Sequence, residues 1–294
     1  MIRLLSFFTS CFLLAFPSFS QTARSKESKE QNRSLLWKIS GKDMKTPSYL
    51  FGTIHLLCPE DYFWTPAMAA SLRGCREVCF EMDMDDPSVM MEVAVGMMNP
   101  DGKKLKDYFS EGDYATISAF VRDSLGMDIN MLQQLKPAAL HSLFASKTVS
   151  CSTPLSYEAN IMTEAQKLQL DISGLEAPSE QIALLEKLET DSALLELVAM
   201  ARDYQDEKKE FEKMISAYKK QDLQTLFEIM EESGEQNGDL GAFLDERNQK
   251  WISRMEDKMD VQPVFFAVGA GHLWGKKGVI ELLRDEGYKV EPVR

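Results

Sequence analysis

Apolar and polar positions near the start of the chain follow the period of strands and then that of a helix. Residues 49–54 form a short apolar run, which is typical of a strand buried on both faces. Thr65 followed by Pro66 indicates the beginning of a helix, because Thr caps the first turn and Pro suits its first position. Residues 77–84 are then predicted to form a second strand. The order strand, helix, strand predicts a βαβ unit with parallel strands.

From about residue 87 to residue 256 the apolar residues recur every three or four positions, which indicates helices. One short strand, at residues 170–175, is expected to interrupt them. Residues 263–268 then form a continuous apolar run, followed by a predicted helix at 277–284 and a predicted strand at 288–293. The chain is therefore predicted to adopt an α/β fold with βαβ-type units at both ends, a central sheet and a long helical insertion between them.

The first 20 residues have the pattern of a secretory signal peptide. Arg3 is followed by an apolar segment at residues 4–16 and by a small-x-small sequence at residues 18–20. The apolar segment is shorter than the roughly 20 residues that span a bilayer, so a cleaved signal is favoured over a transmembrane anchor. Cys11 lies inside this segment and not after it, which makes a lipid anchor the weaker alternative. We expect an exported protein, periplasmic or extracellular.

The next segment, residues 21–33, is polar and is predicted to be a flexible tether, with the α/β domain at residues 34–294. The formal net charge is -13, and the Lys and Arg residues form no basic stripe. Counterion release would drive little binding to nucleic acid, so nucleic acid and anionic membranes are not expected partners. The sequence has no glycine loop of the phosphate-binding type, and no nucleotide cofactor is expected.

Four cysteines follow the predicted signal peptide, namely Cys58, Cys75, Cys79 and Cys151. An exported protein can form disulfides, and four cysteines allow three connectivities, so we expect one bridge whose partners the sequence leaves open. Cys75 and Cys79 alone are weak evidence for zinc, because no second pair of ligands stands at a suitable spacing. Cys79 lies in an apolar run and is also explained as a buried thiol.

Two segments share one design, in which a buried strand runs through a glycine to a histidine three residues later. The segments are Gly52 to His55 and Gly269 to His272. We expect each glycine to allow a sharp turn at a strand end, where α/β sheets gather ligand-binding and catalytic groups. A single such histidine is more often a packing residue, but the repetition favours a shared site. His141 lies on a predicted helix without this glycine and is interpreted as structural.

Glu81 interrupts the apolar run of the second strand, where a carboxylate is costly to bury unless it is paired, hydrogen-bonded or metal-bound. The alternative is an edge position open to water. Asp83, two residues later on the same face, is either a second ligand or the start of an exposed loop. We therefore predict a catalytic centre at His55, Glu81 and His272, which are also the candidate ligands of a divalent cation.

Arg247 and Asn248 lie near the apolar stripe of their predicted helix, since Leu244 and Trp251 stand three or four residues away. Arg247 can hold a carboxylate or a developing oxyanion, and Asn248 can orient a water molecule or a substrate carbonyl. A structural ion pair between helix and sheet explains Arg247 equally well. Glu176, at the end of the interrupting strand, is open to both interpretations.

The segments described so far resemble those of the TraB/GumN family, which is related to the Tiki proteases and more distantly to the erythromycin esterases. The resemblance covers residues 34–294. It is based on residues 49–55, the acidic segment 80–83, Gly174 to Glu176 followed by Gln181, Arg247 with Asn248, and residues 267–273.

The resemblance implies an α/β fold with a helical insertion and a site in which His55, Glu81 and His272 cooperate. It also implies hydrolysis, because Tiki-like members resemble metal-dependent proteases and esterase-like relatives activate water with a histidine. Glu176 and Gln181 are expected to bind the substrate. Residues 156–158 fit only loosely the acidic position expected before Gln181, and Glu158 is given no role.

Two functions are compatible with these residues. The first is a hydrolase of amide or ester bonds in peptides or other small exported substrates. In one version a divalent cation held by His55, Glu81 and His272 activates water. In the metal-free version His55 or His272 is the general base, Glu81 orients it, and Arg247 stabilises the developing anion. The second function is a module that binds a peptide or hydrophobic ligand between sheet and helical insertion without turnover.

Overall fold

Six strands form one sheet in the computed structural model, which describes residues 33–99, 102–187, 190–237 and 240–294. The strands are β1 (Leu36–Ser40), β2 (Ser48–Thr53), β3 (Glu77–Met82), β4 (Asp171–Glu176), β5 (Val264–Gly269) and β6 (Lys289–Pro292). The α/β class and the five strands expected from the apolar pattern are confirmed, whereas that pattern does not predict β1. The predicted signal peptide and residues 21–32 of the predicted tether lie outside the described residues.

The strand order is β4-β3-β5-β2-β1-β6. Strands β4, β3, β5 and β2 run parallel to one another, and β1 runs antiparallel to both β2 and β6. The two strands of the predicted βαβ unit, β2 and β3, are parallel as expected, but they do not pair directly, because β5 lies between them. Residues 264–268 of β5 are all buried, and a strand apolar on both faces belongs in the interior of a sheet. Strand β6 likewise pairs with β1 and not with β5.

Most helices lie between β3 and β5 along the chain. The helices are α1 (Pro66–Arg73), α2 (Pro87–Gly96), α3 (Glu111–Leu125), α4 (Pro137–Thr148), α5 (Tyr157–Leu168), α6 (Pro178–Lys187), α7 (Asp191–Arg202), α8 (Tyr204–Lys219), α9 (Leu223–Asn237), α10 (Leu240–Val261) and α11 (Val279–Asp285). Helices α2 to α10 occupy the region predicted as a helical insertion, and β4 interrupts them as expected.

The helix ends follow the capping signals in the sequence. The Thr65 side chain accepts a hydrogen bond from the backbone N–H of Met68, which satisfies a free donor in the first turn of α1. Helix α3 ends at Gly126, whose φ of 66° is left-handed and costs glycine little. Helix α6 begins at Pro178, which suits the first helical position.

The buried apolar residues form two clusters. The larger one packs on the sheet and includes Trp37, Phe51, Phe265 and Trp251. The smaller one lies within the helical region, around Phe120, and gives that region a core of its own. In the part of the chain that the structure describes, no helix combines the length and the apolar composition needed to cross a bilayer.

One disulfide joins Cys58 to Cys151 and thereby assigns the pairing that the sequence leaves open. Cys75 and Cys79 are buried free thiols. Burial raises the pKa of each thiol to about 12, so both are protonated at neutral pH. This agrees with the interpretation of Cys79 as a buried thiol and not as a zinc ligand.

Candidate functional site

The predicted site residues stand at the carboxyl ends of the parallel strands. His55 follows β2 by two residues, and His272 follows β5 by three. Glu81 is the penultimate residue of β3, and Glu176 is the last residue of β4. Because β4, β3, β5 and β2 are consecutive in the sheet and parallel, all four groups meet at one edge.

The guanidinium group of Arg247, on α10, connects three of these groups. Its Nη2 atom donates to Glu81 Oε2 at 2.7 Å and to Glu176 Oε2 at 2.9 Å. Its Nε atom donates to Glu176 Oε1 at 3.0 Å, and its Nη1 atom lies 3.2 Å from His272 Nε2. Arg247 is buried, so two carboxylates and one imidazole surround a cation that water hardly reaches.

The hydrogen bonds around His272 fix its protonation. The Nδ2 atom of Asn248 donates to the backbone oxygens of His272 and Lys277, at 3.3 Å and 2.9 Å. Its Oδ1 atom therefore faces the ring and accepts from His272 Nδ1 at 2.7 Å. The other ring nitrogen faces Arg247, which can only donate. His272 is thus neutral, with its proton on Nδ1 and the lone pair of Nε2 occupied by Arg247.

The electrostatics of the site agree with this assignment. Burial lowers the pKa of His272 to about 4; the carboxylate of Glu81 opposes this shift, and the charges of Arg247 and His55 add to it. His272 is therefore uncharged at neutral pH.

Glu81 is held as an anion by its surroundings. Burial alone would raise the pKa of Glu81, but the positive charges of His272 when protonated, Arg247 and His55 lower it to about 2. Because His272 is neutral at pH 7, Arg247 is the permanent source of this stabilisation. The backbone N–H of Gly269 also donates to Glu81 Oε1, at 2.8 Å.

Glu176 is enclosed by protein donors. Besides Arg247, the indole Nε1 of Trp251 donates to its Oε1 at 2.7 Å, and Gln181 Nε2 donates to its Oε2 at 3.1 Å. The carboxylate is buried. In this arrangement Glu176 holds Arg247, and Gln181 holds Glu176; their predicted role in binding substrate stays a prediction. Asn248, predicted to face water or substrate, is buried and orients His272.

His55 has a different environment from His272. Its Nδ1 atom lies 2.9 Å from Glu158 Oε1, and the side chain is 75% exposed to solvent. The hydrogen bond to Glu158 raises the pKa of His55 to about 9, against the opposing effect of burial. Because water reaches the ring, solvent screening acts against this rise, so the pKa of His55 lies above 6.5 and at or below about 9. The charge of Glu81 also raises the pKa of His55, and the charge of Arg247 lowers it. His55, Glu158, Glu81 and Arg247 therefore lie in one electrostatic neighbourhood.

The two glycines of the repeated motif act through close packing. Neither has a positive φ, and that of Gly269 is -52°. Neither position therefore needs the left-handed backbone that only glycine adopts easily. A Cβ atom on Gly52 would lie 3.1 Å from Ala270, and one on Gly269 would lie 3.2 Å from Glu81 Oε1. Glycine is needed because backbone and carboxylate approach these positions closely.

The predicted metal ligands do not share one coordination position in this arrangement. The lone pair of His272 Nε2 is taken by Arg247, whose guanidinium lies against both His272 and Glu81. Among the residues that the structure describes, no group of three His, Cys, Asp or Glu side chains is placed to hold a metal ion. The donor set around Arg247 therefore fits the guanidinium cation and not a metal ion.

The sequence does not predict the roles of two residues that contribute to the site. Glu158, the partner of His55, is separated from it by 103 residues, and the loose fit of residues 156–158 to the family pattern does not assign it a role. Trp251 stacks on His272 with ring centroids 4.3 Å apart and lies beside Arg247. The sequence places Trp251 only on the apolar stripe of its helix. Its contact with Glu176 has no local signal, because it depends on how α10 crosses the sheet.

The fold and the site define an α/β protein with an acidic, histidine-containing centre at the carboxyl edge of a parallel sheet. A family model described as the TraB/PrgY/gumN family matches residues 35–292. The chain therefore belongs to the TraB/PrgY/gumN family, as the motifs indicate.

Curated relatives of the chain are named as metalloproteases. Metalloprotease TIKI2 of Danio rerio is 22% identical over 95% of this chain and 67% of its own length. Metalloprotease TIKI1 of Danio rerio is 24% identical, with coverages of 88% and 63%, and Metalloprotease TIKI1 of Homo sapiens is 22% identical, with coverages of 90% and 63%. The chain thus spans about two thirds of the length of these relatives. No solved structure is similar enough to count as a match.

Proposed function

We propose that this chain is an exported hydrolase of amide or ester bonds in peptides or other small substrates. The observation that supports this most is the environment of His55, whose Nδ1 atom is held by Glu158 while the ring remains 75% exposed. A carboxylate-held imidazole with its other nitrogen open to solvent is the arrangement of a general base. His272 lacks this freedom because Arg247 occupies its lone pair, so His55 is the favoured base.

The reaction then needs one water molecule and one proton transfer. Neutral His55 accepts a proton from water on Nε2 while the water oxygen attacks the substrate carbonyl carbon. The bond from that carbon to nitrogen or oxygen breaks, and His55 returns the proton to the leaving atom. Arg247 is buried and paired with Glu81 and Glu176, and its positive charge acts on His55 through space, where it lowers the pKa of the ring and so favours the neutral form that a base requires.

Metal-dependent peptidase activity is suggested by the names of the relatives and not by the donor set of this site. The metal-free mechanism is therefore the one proposed. Hydrolysis measured with and without a chelator separates the two versions. Equal rates support the metal-free version, and loss of activity in chelator would show that the site rearranges around a cation.

The decisive assay uses the chain without its predicted signal peptide, incubated with a peptide library and a panel of esters and followed by mass spectrometry. We expect fragments that increase with time and amount of protein. Saturable binding without any product would instead support the binding module. The predicted periplasmic or extracellular location is tested separately, by fractionating cells that express the full chain and sequencing the amino terminus of the exported product.

A further inference from the structure

Two loops at the carboxyl edge of the sheet are joined at three points. We call residues 54–58 the His55 loop and residues 149–158 the Glu158 loop, which extends into the first turn of α5. The Cys58–Cys151 disulfide links them covalently. Leu57 and Leu155 form an isolated antiparallel bridge, with N–H to O distances of 3.0 Å and 2.8 Å. The third connection is the hydrogen bond between His55 and Glu158.

The carboxylate of Glu158 is fixed on both of its oxygens. Oε1 faces His55, and Oε2 accepts from the Ser156 hydroxyl at 2.7 Å. The same hydroxyl accepts from the backbone N–H of Ala159 and caps α5. Glu158 is buried, and its position in the first helical turn is favourable for a negative charge. Both oxygens of Glu158 are therefore engaged, which opposes a rotation of its carboxylate away from His55.

Stability alone does not explain this pair. An ion pair with a partner as exposed as His55 contributes little free energy, because water screens the charge and competes for the ring. Burying a carboxylate such as Glu158, in contrast, is costly unless its partners compensate. What the arrangement does supply is a fixed ring: with Nδ1 held by Glu158, the plane of the imidazole and the direction of Nε2 are set.

On the basis of the proposed hydrolase function, we propose that Glu158 is the positioning residue of His55. The Cys58–Cys151 disulfide and the Leu57–Leu155 bridge hold the two loops in the register that this role requires. Glu158 keeps the proton of neutral His55 on Nδ1 and leaves Nε2 free to take a proton from water. The role does not require Glu158 to touch the substrate.

The kinetic test compares Glu158→Gln and Glu158→Asp with the wild type. Glu158→Gln keeps the shape and removes the charge, and we expect kcat to fall on the order of 10²-fold with KM little changed, as for other residues that orient a catalytic group. Glu158→Asp should recover part of this loss. The matched control is Glu256→Gln, which removes the carboxylate bonded to Lys42 at 2.8 Å, away from His55, and it should leave kcat unchanged. Wild-type kcat in folded Glu158→Gln would overturn the proposal.

The structural test is independent of any activity. The chain contains three histidines, so long-range ¹H–¹⁵N spectra can resolve the ring nitrogens of His55 with His55→Gln for assignment. At a pH where His55 is neutral, we expect its proton on Nδ1 in the wild type and a shift toward Nε2 in Glu158→Gln. Unchanged tautomers in that variant would overturn the proposal. Absence of hydrolysis by the wild type would contradict the proposed function, while the spectra would still decide the role of Glu158.

The disulfide provides a further comparison. In the double variant Cys58→Ser/Cys151→Ser the covalent link between the loops is lost while His55 and Glu158 remain. We expect a lower fraction of the Nδ1–H tautomer and a fall in kcat of roughly tenfold, since catalytic groups must be held within a fraction of an ångström. Retention of both the tautomer and kcat in the folded double variant would show that the disulfide has no part in positioning His55.

Discussion

His55 and His272 occur in the same four-residue motif but have opposite environments. His272 is buried, neutral and hydrogen-bonded at both ring nitrogens, to Asn248 and to Arg247. His55 is exposed and held on one nitrogen by Glu158. A shared motif therefore places two histidines at one site without giving them one role. We assign proton transfer to His55 and the support of Arg247 to His272.

The pH dependence of hydrolysis should report on His55. A general base acts when unprotonated, and the hydrogen bond to Glu158 raises the pKa of His55 from 6.5 to about 9. The value of kcat/KM should therefore rise with pH through neutrality and level off above pH 6.5, at or below about pH 9. Initial rates over this range provide the measurement. A plateau already reached below pH 6.5 would contradict the raised pKa of His55.

Arg247 should be a main determinant of stability. Replacing it by Ala leaves Glu81 and Glu176 buried without their cation, and breaking a buried pair in this way costs about 3–5 kcal/mol. Urea unfolding of Arg247→Ala measures the change. Arg122→Ala is the matched control, because its pair with Asp123 is exposed on both sides, and it should change the unfolding free energy little. Equal effects of the two substitutions would contradict the ion-pair network described here.

The sequence predicts part of this site and not the rest. The repeated glycine and histidine spacing indicates that His55 and His272 lie at strand ends, and Glu81 stands out as a carboxylate in an apolar run. Glu158 carries no such signal, because its role depends on a contact across 103 residues and on the Cys58–Cys151 pairing. The sequence pattern likewise does not indicate that Arg247 occupies the lone pair of His272 Nε2.

At the scale of elements, the position of β5 accounts for the site. It lies between β2 and β3, so Gly269 stands beside Glu81 and the turn after it carries His272 inward. The apolar pattern predicts β5 as a buried strand, but the order of strands is fixed by long-range pairing that periodicity does not encode. The apolar pattern does not predict β1, whose five residues closely follow the polar segment.

The substitution Gly269→Ala tests the close approach of β5 to Glu81. The new Cβ atom would lie 3.2 Å from Glu81 Oε1, so the carboxylate must shift and its bonds to the backbone and to Arg247 weaken. We expect hydrolysis to fall at least several-fold, and unfolding by urea to occur at lower concentration.

The control for this substitution is Gly112→Ala on α3, where a Cβ atom meets nothing within 4 Å. It should leave hydrolysis unchanged and stabilise the fold by up to about 1 kcal/mol, because alanine favours helix. Full activity of Gly269→Ala would show that the spacing between Gly269 and Glu81 is not critical.

At the scale of the whole molecule, the protein is acidic, with a net charge of -13, and has two apolar cores. Its site contains ionisable groups whose pKa values lie below and above neutrality. The unfolded chain protonates His272 near pH 6.5, whereas the folded protein does so near pH 4, so acid favours unfolding. Glu81, with a pKa lowered from 4.5 to about 2, extends this loss to lower pH. His55 has the opposite effect on stability. Because its pKa is raised, its contribution is present at low pH and is lost as the pH rises.

The free energy of unfolding should therefore fall as pH decreases from 6.5 to 4, and the contribution of His55 should be lost as pH rises from 6.5 toward about 9. Urea unfolding at a series of pH values gives this profile. In His272→Gln the slope between pH 4 and pH 6.5 should become shallower than in the wild type. An unchanged slope would show that His272 is not the group that limits acid stability.

The measurement that tests the central claim most directly is hydrolysis by His55→Ala compared with the wild type, on a substrate found with the peptide and ester panel. Loss of the general base should lower kcat/KM by roughly 10²–10⁴-fold. The variant should remain folded, because the ring is 75% exposed, with a urea midpoint lowered by the loss of the pair with Glu158. A folded His55→Ala protein that hydrolyses the substrate at the wild-type rate would contradict the assignment of His55 as the catalytic group.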